Sequence, residues 1–130
     1  MTFTKMETVK QIPYGVADFE SVIDRGLYYV DKTMYLAELE NQPRTLIFIR
    51  PRRFGKSLFI SMMRAYYDKS KADHFENLFG SLCIGSHPTP LCNHYQVLYL
   101  DFSQISNNID LLEENFNKHC CIKLNDFIHT

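Results

Sequence analysis

The 130-residue chain has no tryptophan, and tyrosine and phenylalanine supply all of its aromatic content. It also lacks a charge bias: 14 lysines and arginines stand against 15 aspartates and glutamates, for a formal net charge of −1. There is thus no overall pull toward nucleic acid or an anionic membrane, and any basic site must be local. No stretch approaches the roughly 18 apolar residues that a membrane-spanning helix needs. The opening MTFTKMETVK lacks the apolar run of a secretory signal, so a cytoplasmic chain with no membrane partner is expected.

Cysteine is present without a disulfide pattern. Cys83, Cys92, Cys120 and Cys121 form no regular framework, and no secretory signal argues for oxidation. Cys83, His87, Cys92 and His94 follow the spacing C-x3-H-x4-C-x-H, which matches none of the usual zinc pairings. An ordinary loop is expected there. Internal repeats, low-complexity tracts and linker-like segments are missing as well. With 45% hydrophobic and 22% charged residues, the chain reads as one globular domain with a single core.

What is present is an alternation of helical and β-like segments. DFESVIDRG fits a short helix capped by Asp18 and stopped at Gly26. LYYVD, residues 27–31, reads as extended, and Asp31 or Thr33 is placed to cap a helix through MYLAELEN. TLIFIR, residues 45–50, is a nearly unbroken apolar run, the pattern of a strand buried on both faces of a parallel sheet. KSLFISMMRAYYD follows as a helix apolar on most sides. A further helical piece ends near Gly80, and QVLYLDFS, from residue 96, gives a second buried strand. In the last segment Leu112, Phe116, Cys120 and Leu124 recur every four residues, a stripe that predicts an amphipathic helix facing the core. The order predicts an α/β layer with a parallel sheet.

Between the first expected strand and its helix lies RPRRFGKS, residues 50–57. Gly55, Lys56 and Ser57 stand as the G-K-[ST] of a phosphate-binding loop, while Arg50 occupies the place of the first glycine. The chemistry of such a loop is geometric first: backbone N–H groups converge on a phosphate at a helix N-terminus. Lys56 is expected to reach the β- and γ-phosphates and Ser57 to ligate Mg²⁺. Pro51 fixes φ and holds Arg50 extended, so that proline rigidity replaces glycine freedom in the turn. Arg52 and Arg53 add charge beside the phosphates or point into solvent. The nucleotide-binding residues on this reading are Arg50, Pro51, Arg52, Arg53, Phe54, Gly55, Lys56, Ser57 and Leu58, with Ser57 as the metal contact. The alternative is a module that grips nucleic acid or another partner through the basic loop 50–56.

IPYGVADFESVIDRGLYYVDKT, LIFIRPRRFGKSLFISMMRAYYD and VLYLDFS together resemble the bacterial AAA-ATPase-like family, over about residues 10–103. In that family arginine also replaces the first glycine. The resemblance implies the N-terminal portion of a P-loop NTPase three-layer fold with a parallel sheet. It implies ATP or ADP and Mg²⁺ as ligands, and a PD-(D/E)XK nuclease-like domain that often follows. Residues 1–43 would form a helical lead-in and residues 44–130 the P-loop core fragment of a single domain.

The family's acidic Walker B strand is not found. Asp101 follows an apolar run, but Phe102 stands where the catalytic acid belongs, so no catalytic residue is assigned. Hydrolysis by this chain alone is expected to be slow or nil. The chain is expected to be part of a larger protein, with nucleic acid reached through a nuclease-like domain outside it. Its two strands would pair with each other or another chain, or leave bare apolar edges that favour self-association. Tyr28, Tyr29, Asp31 and Lys32 belong to the family signature; the resemblance implies a place near the base of the nucleotide, and the alternative is that Asp31 or Thr33 simply caps a helix.

Overall fold

The computed structural model describes residues 9–105 and 108–129. Residues 1–8 of the expected lead-in lie outside the described residues. In chain order the α-helices are α1 (Phe19–Asp24), α2 (Tyr35–Glu40), α3 (Lys56–Tyr67), α4 (Phe75–Phe79), α5 (Cys83–Ser86) and α6 (Leu112–Ile128). Short 3₁₀ turns cover Lys69–His74, Phe102–Gln104 and Ile109–Leu111.

Local chemistry accounts for the helices. At the start of α1 the Asp18 carboxylate accepts the Ser21 N–H at 2.9 Å, which satisfies a donor that a helix start leaves unpaired. The chain leaves α1 through Gly26 at φ +62°, a left-handed position that glycine adopts without strain. Helix α3 carries Met62, Ala65 and Tyr66 on one face, all buried. They meet Phe19 of α1, Leu36 of α2, Leu78 and Phe79 of α4, and Ile84 of α5. Phe19 stacks on Phe79 at 5.0 Å, and Tyr66 meets Phe79 edge-on at 5.4 Å. Each large side chain buried in this way contributes about 1.5–3 kcal/mol, so α3 is the post around which the short helices gather.

The expectation of an α/β fold with a parallel sheet is overturned. Among the described residues there is no strand, and the one ladder contact is an isolated parallel bridge between Asp68 and Tyr95. Residues 46–50 and 96–101 have no regular secondary structure. The exposures give the reason. Ile47 and Ile49 are each 83% exposed, while Leu46 and Phe48 are about half as open, and Phe48 stacks on Phe59 of α3 at 5.4 Å. The run lies against the helix by one side only. An apolar run becomes a strand only when a neighbour accepts its backbone hydrogen bonds, and neither segment has one here.

The second correction concerns the last helix. It forms as the period demands, but none of its residues is buried. Leu112, Phe116 and Leu124 are exposed rather than packed in the core. Phe102 stacks on Phe116 at 5.5 Å, and the Gln96 side chain donates to the Phe127 carbonyl.

Candidate phosphate-binding site

The loop from Arg50 to Gly55 joins the half-covered run 46–50 to the N-terminus of α3. Gly55 is the cap residue, at φ +76° and ψ +19°, and no side chain caps the helix there. The first-turn N–H groups therefore have no partner within the helix, and the positive end of its dipole faces outward. A Cβ at Gly55 would meet nothing within 4 Å. Glycine suits the position by its left-handed backbone angle.

Arg53 also sits at positive φ, +66°. An arginine gains nothing from that angle and is strained by it. The reversal of the chain is accordingly made at Arg53 and Gly55, downstream of the Arg50–Pro51 pair that the sequence marks for it. Arg50, Pro51, Arg52, Arg53, Phe54 and Ser57 are all exposed, and Lys56 and Leu58 are half-buried.

The Lys56 ammonium turns back onto its own loop. Nζ donates to the Arg50 carbonyl at 2.6 Å and to the Pro51 carbonyl at 2.9 Å. Two of its three donors are engaged in this way, so the lysine closes the loop onto α3 and concentrates charge at its mouth. Ser57 lies in the first turn of α3 with its side chain open to solvent.

Among the described residues no group of three or more His, Cys, Asp or Glu side chains is placed to hold a metal. A single hydroxyl fits Mg²⁺ carried in on phosphates, which itself uses few protein ligands and keeps several waters. It does not fit a resident metal. Asp101 Oδ1 accepts the N–H and hydroxyl of Ser103 at 3.0 and 2.6 Å, capping the turn Phe102–Gln104.

Three clefts border the loop. One of about 600 Å³ lies between lead-in residues 12–17 and the stretch Arg53–Leu58. A second, about 480 Å³, opens on the other side between α2 and Phe48, Arg50 and Phe54, with Lys32 and Glu38 in its wall. A third, about 470 Å³, brings Tyr28, Tyr29 and Lys32 to Phe54. A smaller polar cleft of about 220 Å³ lies apart, where Arg64, Lys71 and Lys123 face Asp68 and Asp126. Its mixed charges and size suit a nucleotide poorly.

The signature residues left open by the sequence divide in two. Tyr28 and Lys32 line the clefts beside the loop, as does Tyr29, which is also anchored in the core. Tyr29 packs edge-on against Phe19 at 5.2 Å, and burial, helped by the Asp31 charge, pushes its phenol up to about 12. Asp31 accepts the Thr33 N–H at 2.8 Å, the Thr33 hydroxyl at 2.7 Å and the Cys83 N–H at 2.7 Å. Partial burial works against its charge, but these donors outweigh it and hold the carboxyl below the usual range. Asp31 therefore ties the lead-in to α5, as a local cap and a cross-link together.

A family described as predicted AAA-ATPases matches residues 13–130. The chain belongs to the AAA-ATPase-like family. Membership in it points to a nucleotide-binding role; a nuclease-like domain is no part of the match. An uncharacterized protein of the vnfD 5′ region of Azotobacter chroococcum mcd 1 is 40% identical over 55 residues. The aligned part is 42% of this chain and 11% of that protein, so the chain spans about a tenth of that relative's length. No solved structure matches. Among the described residues, no helix of this AAA-ATPase-like chain is long and apolar enough to cross a membrane.

Proposed function

We propose that the chain binds a nucleoside triphosphate together with Mg²⁺ through the loop Arg50–Leu58. The observation that carries this is the uncapped start of α3 at Gly55, with Lys56 folded over a loop that also bears Arg50, Arg52 and Arg53, in a member of an ATPase-like family. Anionic phosphate oxygens are what such a helix start lacks. Lys56 would exchange its two carbonyl partners for phosphate oxygens, and Ser57 would reach the magnesium that accompanies them. Residues 1–43 would then serve as the lead-in and residues 44–130 as the part bearing the loop.

In this proposal the chain is a binder with little turnover of its own. No carboxylate is assigned to activate water, since Asp101 is engaged with Ser103. Calorimetry with Mg-ATP on the wild type and Lys56→Ala tests the binding. A charge-assisted hydrogen bond is worth about 1.5–3 kcal/mol, so the variant should bind at least about tenfold more weakly. Equal affinities would refute the proposal. Loss of binding that tracks salt steeply and ignores Mg²⁺ would favour the nucleic-acid alternative.

A further inference from the structure

Two of the clefts beside the loop, the one toward α2 and the one toward Tyr28 and Tyr29, share Lys32, Phe54, Gly55 and Phe59 in their walls. Lys32 is the charged member of that set. Neither cleft includes Lys56 or Ser57, so Lys32 comes to Gly55, the cap of α3, from a side that the loop's own lysine does not line. Among the described residues the exposed Lys32 makes no ion pair, although Glu38 stands in the wall of one of the same clefts.

The backbone under this lysine is fastened on both sides. Before it, Asp31 takes the Cys83 N–H on one carboxylate oxygen and the N–H and hydroxyl of Thr33 on the other. After it, the fully buried Thr33 accepts the Ile84 N–H on its hydroxyl at 3.2 Å. The Lys32 carbonyl itself receives the Tyr35 N–H at 3.2 Å. Both neighbours of Lys32 are thus tied to the start of α5, some 50 residues away in the chain. A held backbone under an unpaired ammonium keeps the charge available at one place, which lowers the ordering cost that a ligand meets on binding.

Resting on the phosphate reading above, we infer that Lys32 is a second cation for the phosphates of the ligand, supplied from outside the loop, and that Asp31 and Thr33 are its positioning residues. A triphosphate carries more negative charge than Mg²⁺ and one lysine offset. An ammonium meets that charge as a compact point charge with three rotatable donors, so it needs a fixed base but no fixed fork geometry. Asp31 and Thr33 provide the base: they act on the ligand through Lys32 and do not touch it.

Calorimetry at fixed ionic strength compares Mg-ATP and magnesium tripolyphosphate on the wild-type chain, Lys32→Ala, Lys32→Arg and Lys69→Ala. Lys69, exposed beyond the far end of α3, is the control for charge alone. Lys32→Ala should weaken both ligands by about tenfold, the loss of one charge-assisted contact, and Lys32→Arg should restore most of that. Lys69→Ala should change neither. Asp31→Asn turns an amide NH₂ toward one of the donors that the carboxylate accepted. It should weaken binding by about threefold on its own and add nothing on top of Lys32→Ala. If the wild type binds both ligands and Lys32→Ala binds them equally well, the role of Lys32 is overturned and the phosphate reading stands. Equal weakening by Lys69→Ala, or a loss confined to ATP, overturns it too. Losses from Asp31→Asn that add to those of Lys32→Ala would make Asp31 a structural residue rather than a positioning one. Failure of the wild type to bind either ligand would remove the phosphate reading, and this inference with it.

Discussion

Ser61 and Asp18, 43 positions apart, are joined hydroxyl to carboxylate at 3.0 Å. The same Ser61 oxygen accepts the Phe19 N–H at 3.0 Å, so one hydroxyl on α3 fastens both the cap and the first residue of α1. Ser61→Ala leaves the partly buried Phe19 N–H without that acceptor. A loss of about 1–2 kcal/mol is expected, read from the midpoint of urea unfolding at unchanged slope. A variant as stable as the wild type would show that the pair adds nothing.

Arg53→Gly should make the chain more stable. The left-handed angle of Arg53 costs about 1–2 kcal/mol, and glycine returns about 0.5–1 kcal/mol of that in unfolded-state entropy. A net gain of roughly 0.5–1 kcal/mol remains, visible as a higher Tm. If the arginine also meets phosphate, Mg-ATP will bind the variant more weakly, so stability and binding move in opposite directions. A lower Tm would mean that the angle is imposed by contacts of the arginine itself.

Acid should loosen the lead-in first. Asp18 is partly buried, which raises its pKa, but the Ser21 and Ser61 donors more than offset this and hold it below its ordinary value of 3.8. Asp31 is held low in the same way by Thr33 and Cys83. A carboxylate depressed in the folded chain stabilises it above the ordinary value, and that stability is lost as pH falls through the lower folded value. Unfolding midpoints compared at about pH 6 and about pH 3 should therefore drop, and Asp31→Asn should flatten the drop while lowering stability at neutral pH. An unchanged slope in Asp31→Asn would exclude the carboxylate as its source.

The helices were legible because their causes are local. The Asp18 cap, the stop at Gly26 and the unbroken helix after Gly55 each rest on residues within a turn of the feature. The two apolar runs were not, because strand pairing is a relation between distant segments, and TLIFIR reads alike whether one face is covered or both. The stripe on α6 failed similarly: its period fixes a helix but does not say what packs against it. At the candidate site the motif marked the loop and its cations. It could not mark the strained angle at Arg53, which arginine does not favour. Nor could it bring in lead-in residues 12–17, which border the loop across a cleft next to α1, itself tied to α3 through Phe19 and Ser61.

Ile49, with most of its side chain in solvent, is followed directly by the residue whose carbonyl receives Lys56. One peptide unit thus separates an open apolar surface from the lysine at the mouth of the loop. The open segment itself supplies the Arg50 carbonyl at which the ammonium rests. A change that shifts the backbone beside Ile49 would thus be felt at the ammonium, because the residue next to it carries the carbonyl on which Lys56 rests.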